Sequence, residues 1–185
     1  MKLRNMIFMS LFAAIVAVLG FFPPIPLPFL PVPITLQTLG VMLTGGILGA
    51  KRGGITMFLF ITLVAIGAPL LSGGRGGLGV VFGPTGGYIF SFPIVAFLIG
   101  FFTEKILHQL KLWKMALIQI VFGVLVINVC GITYLSFIAE TPWLATATSA
   151  LVFLPGDIIK AIVASIITIK LIQTYPLIET NKKVA

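Results

Sequence analysis

Long apolar runs recur along almost the whole chain, and they constrain its fold more than any other feature. Interrupted by charge, glycine or proline, they predict six candidate membrane spans, at roughly residues 5–22, 34–50, 54–71, 84–103, 115–138 and 155–174. A cleaved signal peptide would account for only one apolar segment near the N-terminus. With 59% hydrophobic and 9% charged residues, the sequence predicts an all-α integral membrane protein. We expect one transmembrane domain over residues 1–185, a bundle of six helices with ordered external loops.

The basic residues indicate which ends of these spans face the cytoplasm. If the N-terminus is cytoplasmic, ten of the twelve basic residues fall on that side: Lys2, Arg4, Lys51, Arg52, Lys105, Lys111, Lys114, Lys170, Lys182 and Lys183. This positive-inside asymmetry predicts a multi-pass protein of the cell membrane with both termini in the cytoplasm. Because the basic residues are scattered at span ends and form no basic–aromatic patch, nucleic acid is not expected as a partner.

The last span carries one acid and one base, Asp157 and Lys160, three residues apart. That spacing puts both on one face of a helix. Ionisable side chains inside a membrane span cost at least ~2.5 to 3.5 kcal/mol each at the helix centre, so they usually mark function. Pro155 predicts a helix start there, which sets Asp157 in the first turn, where the helix dipole favours negative charge. The alternative is that the two charges merely neutralise each other.

The connection from Leu71 to Tyr88 has eight glycines in eighteen residues, with Arg75 in the middle and Thr85 near the end. Glycines let backbone N–H groups approach a ligand, and a helix that starts at Gly86 presents free amides to an anionic or carbonyl group. A lone arginine in an external loop is often only solvated. The composition nevertheless favours a binding loop over a merely flexible one.

Three further features each leave two interpretations open. The segment from residue 21 to residue 33 has six prolines and no charge, and it is either a lid over a site or a cap on helix ends. Asn128, near the middle of the fifth span, either joins helices or binds a ligand. Ala13 and Ala17 have the small-xxx-small spacing that lets another helix approach closely, inside the bundle or from a partner.

Missing motifs narrow the function. The chain has no G-x-x-x-x-G-K-[ST] loop, so it is not expected to use ATP by the P-loop route. The single histidine, His108, lies far along the chain from Asp157, and no second acid accompanies that aspartate in its span. Neither a metal site nor a paired-acid mechanism follows from such a sequence. We expect neither an enzyme nor a protein with a metal or cofactor.

Three motifs occur together in this chain: Gly73-Gly74-Arg75-Gly76-Gly77, Gly83-Pro84-Thr85-Gly86-Gly87-Tyr88 and Pro155-x-Asp157-x-x-Lys160. Together they resemble the BioY family, the biotin-specific S components of energy-coupling factor (ECF) transporters in prokaryotes. The resemblance covers essentially the whole chain. It implies a substrate-capture subunit that works with a transmembrane T component and two cytoplasmic ATPases. It also implies that the first helix, with Ala13 and Ala17, docks on the T component.

Biotin has a ureido ring with two N–H donors and a carbonyl, an apolar bicycle and a carboxylate tail. Asp157 can accept from the ureido N–H groups and Lys160 can donate to the carbonyl, which leaves Arg75 and loop amides for the carboxylate. The reverse orientation, with Lys160 on the carboxylate, also stays open. The expected substrate-binding residues are Arg75, Gly76, Gly77, Thr85, Gly86, Tyr88, Asn128, Asp157 and Lys160.

Two other classes of function compete with this interpretation. An ion- or proton-coupled secondary transporter of a small carboxylated solute would normally have an internal repeat and a membrane-embedded ion site. No convincing repeat is present, and one acid already matched by a lysine is a poor proton relay. A purely structural or assembly protein would leave the glycine loop and the buried ion pair without a purpose. The sequence therefore favours a biotin-binding membrane subunit.

Overall fold

The computed structural model describes residues 3–28, 30–175 and 177–178. Lys2, Lys182 and Lys183, which entered the charge argument, lie outside these residues. Two β-strands form a hairpin, β1 (Ile25–Leu27) and β2 (Leu30–Ile34). The α-helices are α1 (Leu3–Phe21), α2 (Gln37–Leu48), α3 (Ala50–Ala65), α4 (Leu78–Val81), α5 (Gly86–Ile106), α6 (Leu112–Ile118), α7 (Ile127–Ile138), α8 (Trp143–Ala150) and α9 (Leu154–Thr174).

Short irregular helices join several of these elements into longer runs. A π-helical segment at Gln119–Val126 connects α6 to α7, and 3₁₀ turns at Leu107–Gln109 and Leu151–Phe153 follow α5 and precede α9. By length and composition, four helical runs among the described residues could cross a membrane: Leu3–Phe21, Gly86–Gln109, Leu112–Ile138 and Trp143–Thr174. The mostly helical character is confirmed, with four candidate membrane spans, but the expected all-α bundle of six spans is not, because β1 and β2 form a hairpin and α2 and α3 are shorter.

A single glycine makes the corner between α2 and α3. Gly49 has φ +82°, a conformation that only glycine adopts without strain. The Glu104 carboxylate on α5 then accepts the Ala50 N–H at 2.8 Å, which caps the start of α3. The sequence predicted a loop around residues 51–53 and a third span at 54–71, whereas α3 begins at Ala50 and ends at Ala65. The earlier start of α3 arises because a side chain from another helix caps it there.

The proline-rich segment forms a β-hairpin. Prolines cannot donate to a ladder, but their φ suits extended chain at a sheet edge. Here the paired positions are Ile25 with Ile34 and Leu27 with Leu30. Val32 is buried and packs with Ile132 and Phe153. The hairpin is therefore an ordered part of the bundle end.

Within the bundle, α5 contacts α2, α3 and α7, while α9 contacts α2, α6 and the π-helical segment, and α1 lies against α2 and α3. Close backbone approach is needed at Gly45, where an added Cβ would lie 2.6 Å from the Ala96 carbonyl oxygen. The first turn of α9, the hairpin and the connection from α3 to α5 all meet at one end of this bundle. That end holds a cavity.

Candidate functional site: a polar cavity at the hairpin end

The cavity has a volume of about 80 Å³. Its lining comes from the hairpin, the start of α2, the α3–α5 connection, α5, α7 and α9. The polar residues that line it are Thr35, Gln37, Thr38, Ser72, Arg75, Thr85, Tyr88, Asn128, Asp157 and Lys160. Apolar walls are contributed by Val32, Pro33, Ile34, Leu71, Val80, Ile89, Phe92, Ile127 and Phe153. Such a mixed lining suits a small, partly apolar ligand with several polar groups.

Asp157 and Lys160 form a buried ion pair at this cavity. Lys160 Nζ lies 2.8 Å from Asp157 Oδ1, and the two residues are only 8% and 7% exposed. Pro155 occupies the first turn of α9, so the expected helix start is one residue from the observed one at Leu154. The spacing of three residues thus brings the two charges together as predicted.

Lys160 has no donor left for a further partner. Besides Asp157, its ammonium group donates to the Thr35 carbonyl oxygen at 2.8 Å and to Thr38 Oγ1 at 3.1 Å. An ammonium group has three donors, and all three are used. Three acceptors together stabilise the buried charge, which would otherwise be costly. Lys160 therefore ties α9 to the start of α2.

Asn128 lies in the first turn of α7, just after the π-helical segment, and connects α7 to the Asp157–Lys160 ion pair. Its Nδ2 donates to Asp157 Oδ2 and to the Val124 carbonyl, each at 3.0 Å. Both amide protons are therefore used within the protein, whereas Oδ1 makes no hydrogen bond there. Asn128 is thus both a link between helices and a buried acceptor at the cavity, so the two alternatives from the sequence are compatible.

Three buried polar atoms at the cavity have no hydrogen-bond partner within the protein: Asn128 Oδ1, Tyr88 Oη and Ser72 Oγ. An unpartnered buried polar group typically costs ~1–3 kcal/mol, so three around one cavity indicate places for a ligand. Two more such atoms, on Gln119 and Thr168, belong to side chains that do not line this cavity.

Arg75 is a lining residue from the glycine-rich connection. Its Nε donates to the Ser72 carbonyl at 3.1 Å, and its carbonyl accepts the Leu71 N–H at 2.9 Å. Positive φ angles at Gly73 and Gly74 let the chain make this tight reversal. Arg75 is exposed, is among the lining residues, and has its side chain held by its own loop. Two positive side chains and one negative, among the described lining residues, give the cavity a positive bias.

The structure brings six of the nine predicted binding residues into the lining: Arg75, Thr85, Tyr88, Asn128, Asp157 and Lys160. Gly76, Gly77 and Gly86 are not among the lining residues. Gly76 packs against the Ala68 carbonyl, Gly86 against Val81 and Tyr134, and Gly77 donates its N–H to the Val64 carbonyl at 2.7 Å. The positions of these glycines reflect close packing of the loop, and the Gly86 N–H, like that of Gly77, is engaged in the fold, since it donates to the Gly83 carbonyl at 2.8 Å.

Sequence reasoning missed Thr35, Gln37, Thr38 and Ser72. Gln37 is 3% exposed. Its Nε2 donates to the Leu70 carbonyl at 3.0 Å, with a longer contact of 3.4 Å to the Val16 carbonyl. Its Oε1 accepts the Ser72 N–H at 3.2 Å. A polar pattern in Thr35-x-Gln37-Thr38, just before an apolar helix, was the available signal.

A second concavity is an apolar groove between α1 and α3. Ala13, Ala14 and Ala17 line it from α1, and Leu59, Leu63 and Leu70 belong to the opposite side. The expected docking pair is therefore close together on one helix face. Ala17 is buried at the bottom of the groove, and Ala13 is half-buried.

No group of three or more metal-ligating side chains occurs among residues 3–28, 30–175 and 177–178. The cavity instead offers hydrogen-bond acceptors and donors fixed by long-range contacts, with a positive group at one wall. Such an arrangement can bind and orient a polar small molecule.

Comparison with known proteins identifies the family. The BioY family model matches residues 1–177. The chain is 43% identical over 180 residues to a probable biotin transporter BioY of Bacillus subtilis (strain 168), covering 97% of this chain and 96% of the relative. It is 40% identical over 183 residues to the biotin transporter BioY of Rhizobium etli (strain CFN 42), covering 96% and 98%.

A solved structure has the same fold. It is the crystal structure of the S component for biotin from an ECF-type ABC transporter, with a TM-score of 0.90 and 40% sequence identity, over 93% of this chain and 92% of that one. Length, sequence and fold therefore agree along nearly the whole chain. The chain belongs to the BioY family.

Proposed function

We propose that this protein is the biotin-binding S component of an ECF-type ABC transporter, which captures biotin and relies on other subunits for energy. The observation that carries the proposal is the cavity beside the Asp157–Lys160 pair, with three unpartnered polar atoms on its walls. Family membership and the biotin-related relatives supply the ligand's identity. The apolar side chains Ile89, Phe92 and Phe153 suit the bicycle.

The contacts favour one orientation of biotin. Asn128 Oδ1 and the remaining lone pairs of Asp157 can accept the two ureido N–H groups, while the Tyr88 hydroxyl can donate to the ureido carbonyl. The Arg75 guanidinium and the Ser72 hydroxyl are left for the carboxylate. Lys160 would have to give up an existing partner to contact the ligand. Its proposed role is therefore to hold Asp157 in position.

Partners and topology complete the proposal. The whole chain acts as one substrate-binding domain with six crossings, in which α2 and α3 are the short ones, and both termini are cytoplasmic. A T component docks on the groove that contains Ala13 and Ala17, and two ATPases drive the complex. Biotin then enters from outside, between the hairpin and the glycine-rich connection. Membrane-impermeant thiol labelling should modify Leu78→Cys from outside and Lys111→Cys only from inside; the opposite result would overturn this topology.

Mass spectrometry of denatured, purified protein tests the ligand directly. We expect biotin to be released, and isothermal titration of ligand-free protein in detergent to give one site per chain. Lipoic acid is the matched control, because it shares the carboxylate tail but lacks the ureido ring. If lipoic acid binds as tightly as biotin, or if biotin does not bind, the proposal fails.

A further inference from the structure

The cavity and the α1–α3 groove share one wall, the three residues Leu70–Ser72. Leu70 lines the groove, whereas Leu71 and Ser72 line the cavity. The cavity and the groove are therefore separated at this point by a single segment of chain. A shift of this segment on one side must be felt on the other, because packed interiors transmit displacement.

Gln37 holds this wall from both flanks. Its amide nitrogen binds the carbonyl of Leu70 and its amide oxygen binds the N–H of Ser72. The wall also lies against α1, since a Cβ added at Gly20 would be 2.6 Å from the Leu70 carbonyl oxygen and 2.8 Å from Gln37 Nε2. The same amide nitrogen makes the longer contact to Val16 on α1. One side chain therefore connects the start of α2, the shared wall and α1.

The neighbours of Gln37 connect it to the ion pair. The Thr35 carbonyl and Thr38 Oγ1 accept two of the three hydrogen bonds of Lys160. Residues 35–38 therefore contact the charged group on one side and the shared wall on the other. Ser72, whose N–H binds Gln37, also carries one of the unpartnered hydroxyls at the cavity, and its carbonyl holds Arg75. A ligand that engages Ser72 or Arg75 pulls on the segment that Gln37 anchors.

We infer that Gln37 is a positioning residue that couples occupation of the cavity to the shape of the α1–α3 groove. This inference rests on the proposed function, in which the cavity takes biotin and the groove takes the T component. Coupling of this kind is reciprocal, so biotin and the partner each change the affinity for the other by the same factor. Biotin and the T component both act on the same structural element, the contact that the loop makes at Leu70.

The test uses the full chain in detergent, with Cys130→Ala and an environment-sensitive fluorophore on Ala14→Cys, a groove residue exposed at the surface of the chain. Biotin should change the fluorescence of this parent protein. The Gln37→Met variant keeps the length of the side chain but loses its hydrogen bonds to Leu70 and Ser72. In this variant, saturating biotin should leave the fluorescence near its ligand-free value. Gln119→Met is the matched control, because Gln119 is also a buried glutamine that donates to a backbone carbonyl, that of Met42. It should keep the full response.

Titration calorimetry on the same samples distinguishes failure of the proposed function from failure of the coupling. Absence of biotin binding to the parent protein would overturn the proposed function. Biotin binding with a silent groove probe, or an equal response in Gln37→Met, would overturn the coupling alone.

Two further measurements apply if Gln37→Met does not fold. Gly20→Ala should also suppress the response, because its methyl group displaces the shared wall. In the unsubstituted protein, biotin should slow amide hydrogen exchange in residues 62–72 as well as at the cavity, and an unchanged rate there would refute the coupling.

Discussion

The cavity and the groove are two concave surfaces of the same bundle that differ in almost every physical property. The cavity is built from polar side chains on five separate parts of the chain, and hydrogen bonds that span 29 to 125 residues of sequence join several of these parts around the ion pair. The groove is built mainly from apolar side chains of α1 and α3 and from Leu70 in the following connection, and the polar residues in its lining are Ser10, Thr56 and Thr62. The first surface has unpartnered polar atoms and a charge bias, and the second has close-packing shape alone.

This difference teaches how each surface gains affinity. A buried polar site discriminates between ligands, because a wrong ligand leaves donors and acceptors unpaired. An apolar groove between membrane helices gains from close approach of backbones and from van der Waals contact. Substitutions that remove charge should therefore act on the cavity, and substitutions that add volume should act on the groove. The following predictions are ways to break that division.

Asp157→Asn should produce the largest effect. It removes the charge that accepts from Lys160 and Asn128 and leaves a buried lysine unpaired, which typically costs ~3–5 kcal/mol of stability. Biotin affinity should fall by about 100-fold or more, since hydrogen bonds to charged groups contribute ~1.5–3 kcal/mol each and the site geometry is also lost. Titration calorimetry and thermal unfolding measure the two effects separately.

The double variant Asp157→Asn with Lys160→Met distinguishes ligand binding from stability. Removal of both charges should restore most of the melting temperature, because no buried charge is left alone. Biotin binding should remain weak. Recovery of tight binding in the double variant would show that the ion pair serves the fold and not the ligand.

Ala13→Trp combined with Ala17→Trp should abolish association with the T component while biotin affinity stays within about twofold, because bulky side chains prevent close helix approach. Affinity purification of the complex and titration of the isolated chain are the two measurements. Leu11→Trp is the control, since Leu11 is 49% exposed on α1 and does not line the groove. Weakened biotin binding with an intact complex would contradict the division between the surfaces.

Tyr88→Phe should produce the smallest effect. It removes only the unpartnered hydroxyl at the cavity, so biotin affinity should fall by roughly 2- to 12-fold, the value of one neutral hydrogen bond of ~0.5–1.5 kcal/mol. Thermal stability should not decrease, because no internal hydrogen bond is lost. Tyr134→Phe is the matched control, whose hydroxyl donates to the Phe82 carbonyl away from the cavity. Equal affinities for all three proteins would remove Tyr88 from the site.

The sequence predicted the parts of this site that depend on local spacing. Asp157 and Lys160 are three residues apart on one helix, and Pro155 places that helix start to within one residue. Charge in an apolar run, an arginine among glycines and a polar residue in mid-span each led to a residue of the cavity lining. These signals are local and rest on the cost of burying polar groups.

Tertiary contacts decided what the sequence could not predict. Gln37 binds backbone atoms of residues 70 and 72, and a backbone partner leaves no trace in residue type. Gly86 looked like a donor of free amides, yet it allows α5 to pack closely against the Tyr134 ring of α7. The start of α3 at Ala50 likewise depends on Glu104, a cap from a third helix.

The short α3 has a consequence for the surrounding lipid. Phe58, Leu59 and Leu63 are exposed on α3, yet its 16 residues span only about 24 Å, against a hydrocarbon thickness of about 30 Å. If α3 crosses the bilayer as proposed, this hydrophobic mismatch thins the lipid beside it, at a cost of a fraction of a kcal/mol per ångström. A protein that covers the groove replaces the deformed lipid and relieves that cost. The membrane itself therefore favours a covered α1–α3 face, more strongly as the bilayer becomes thicker.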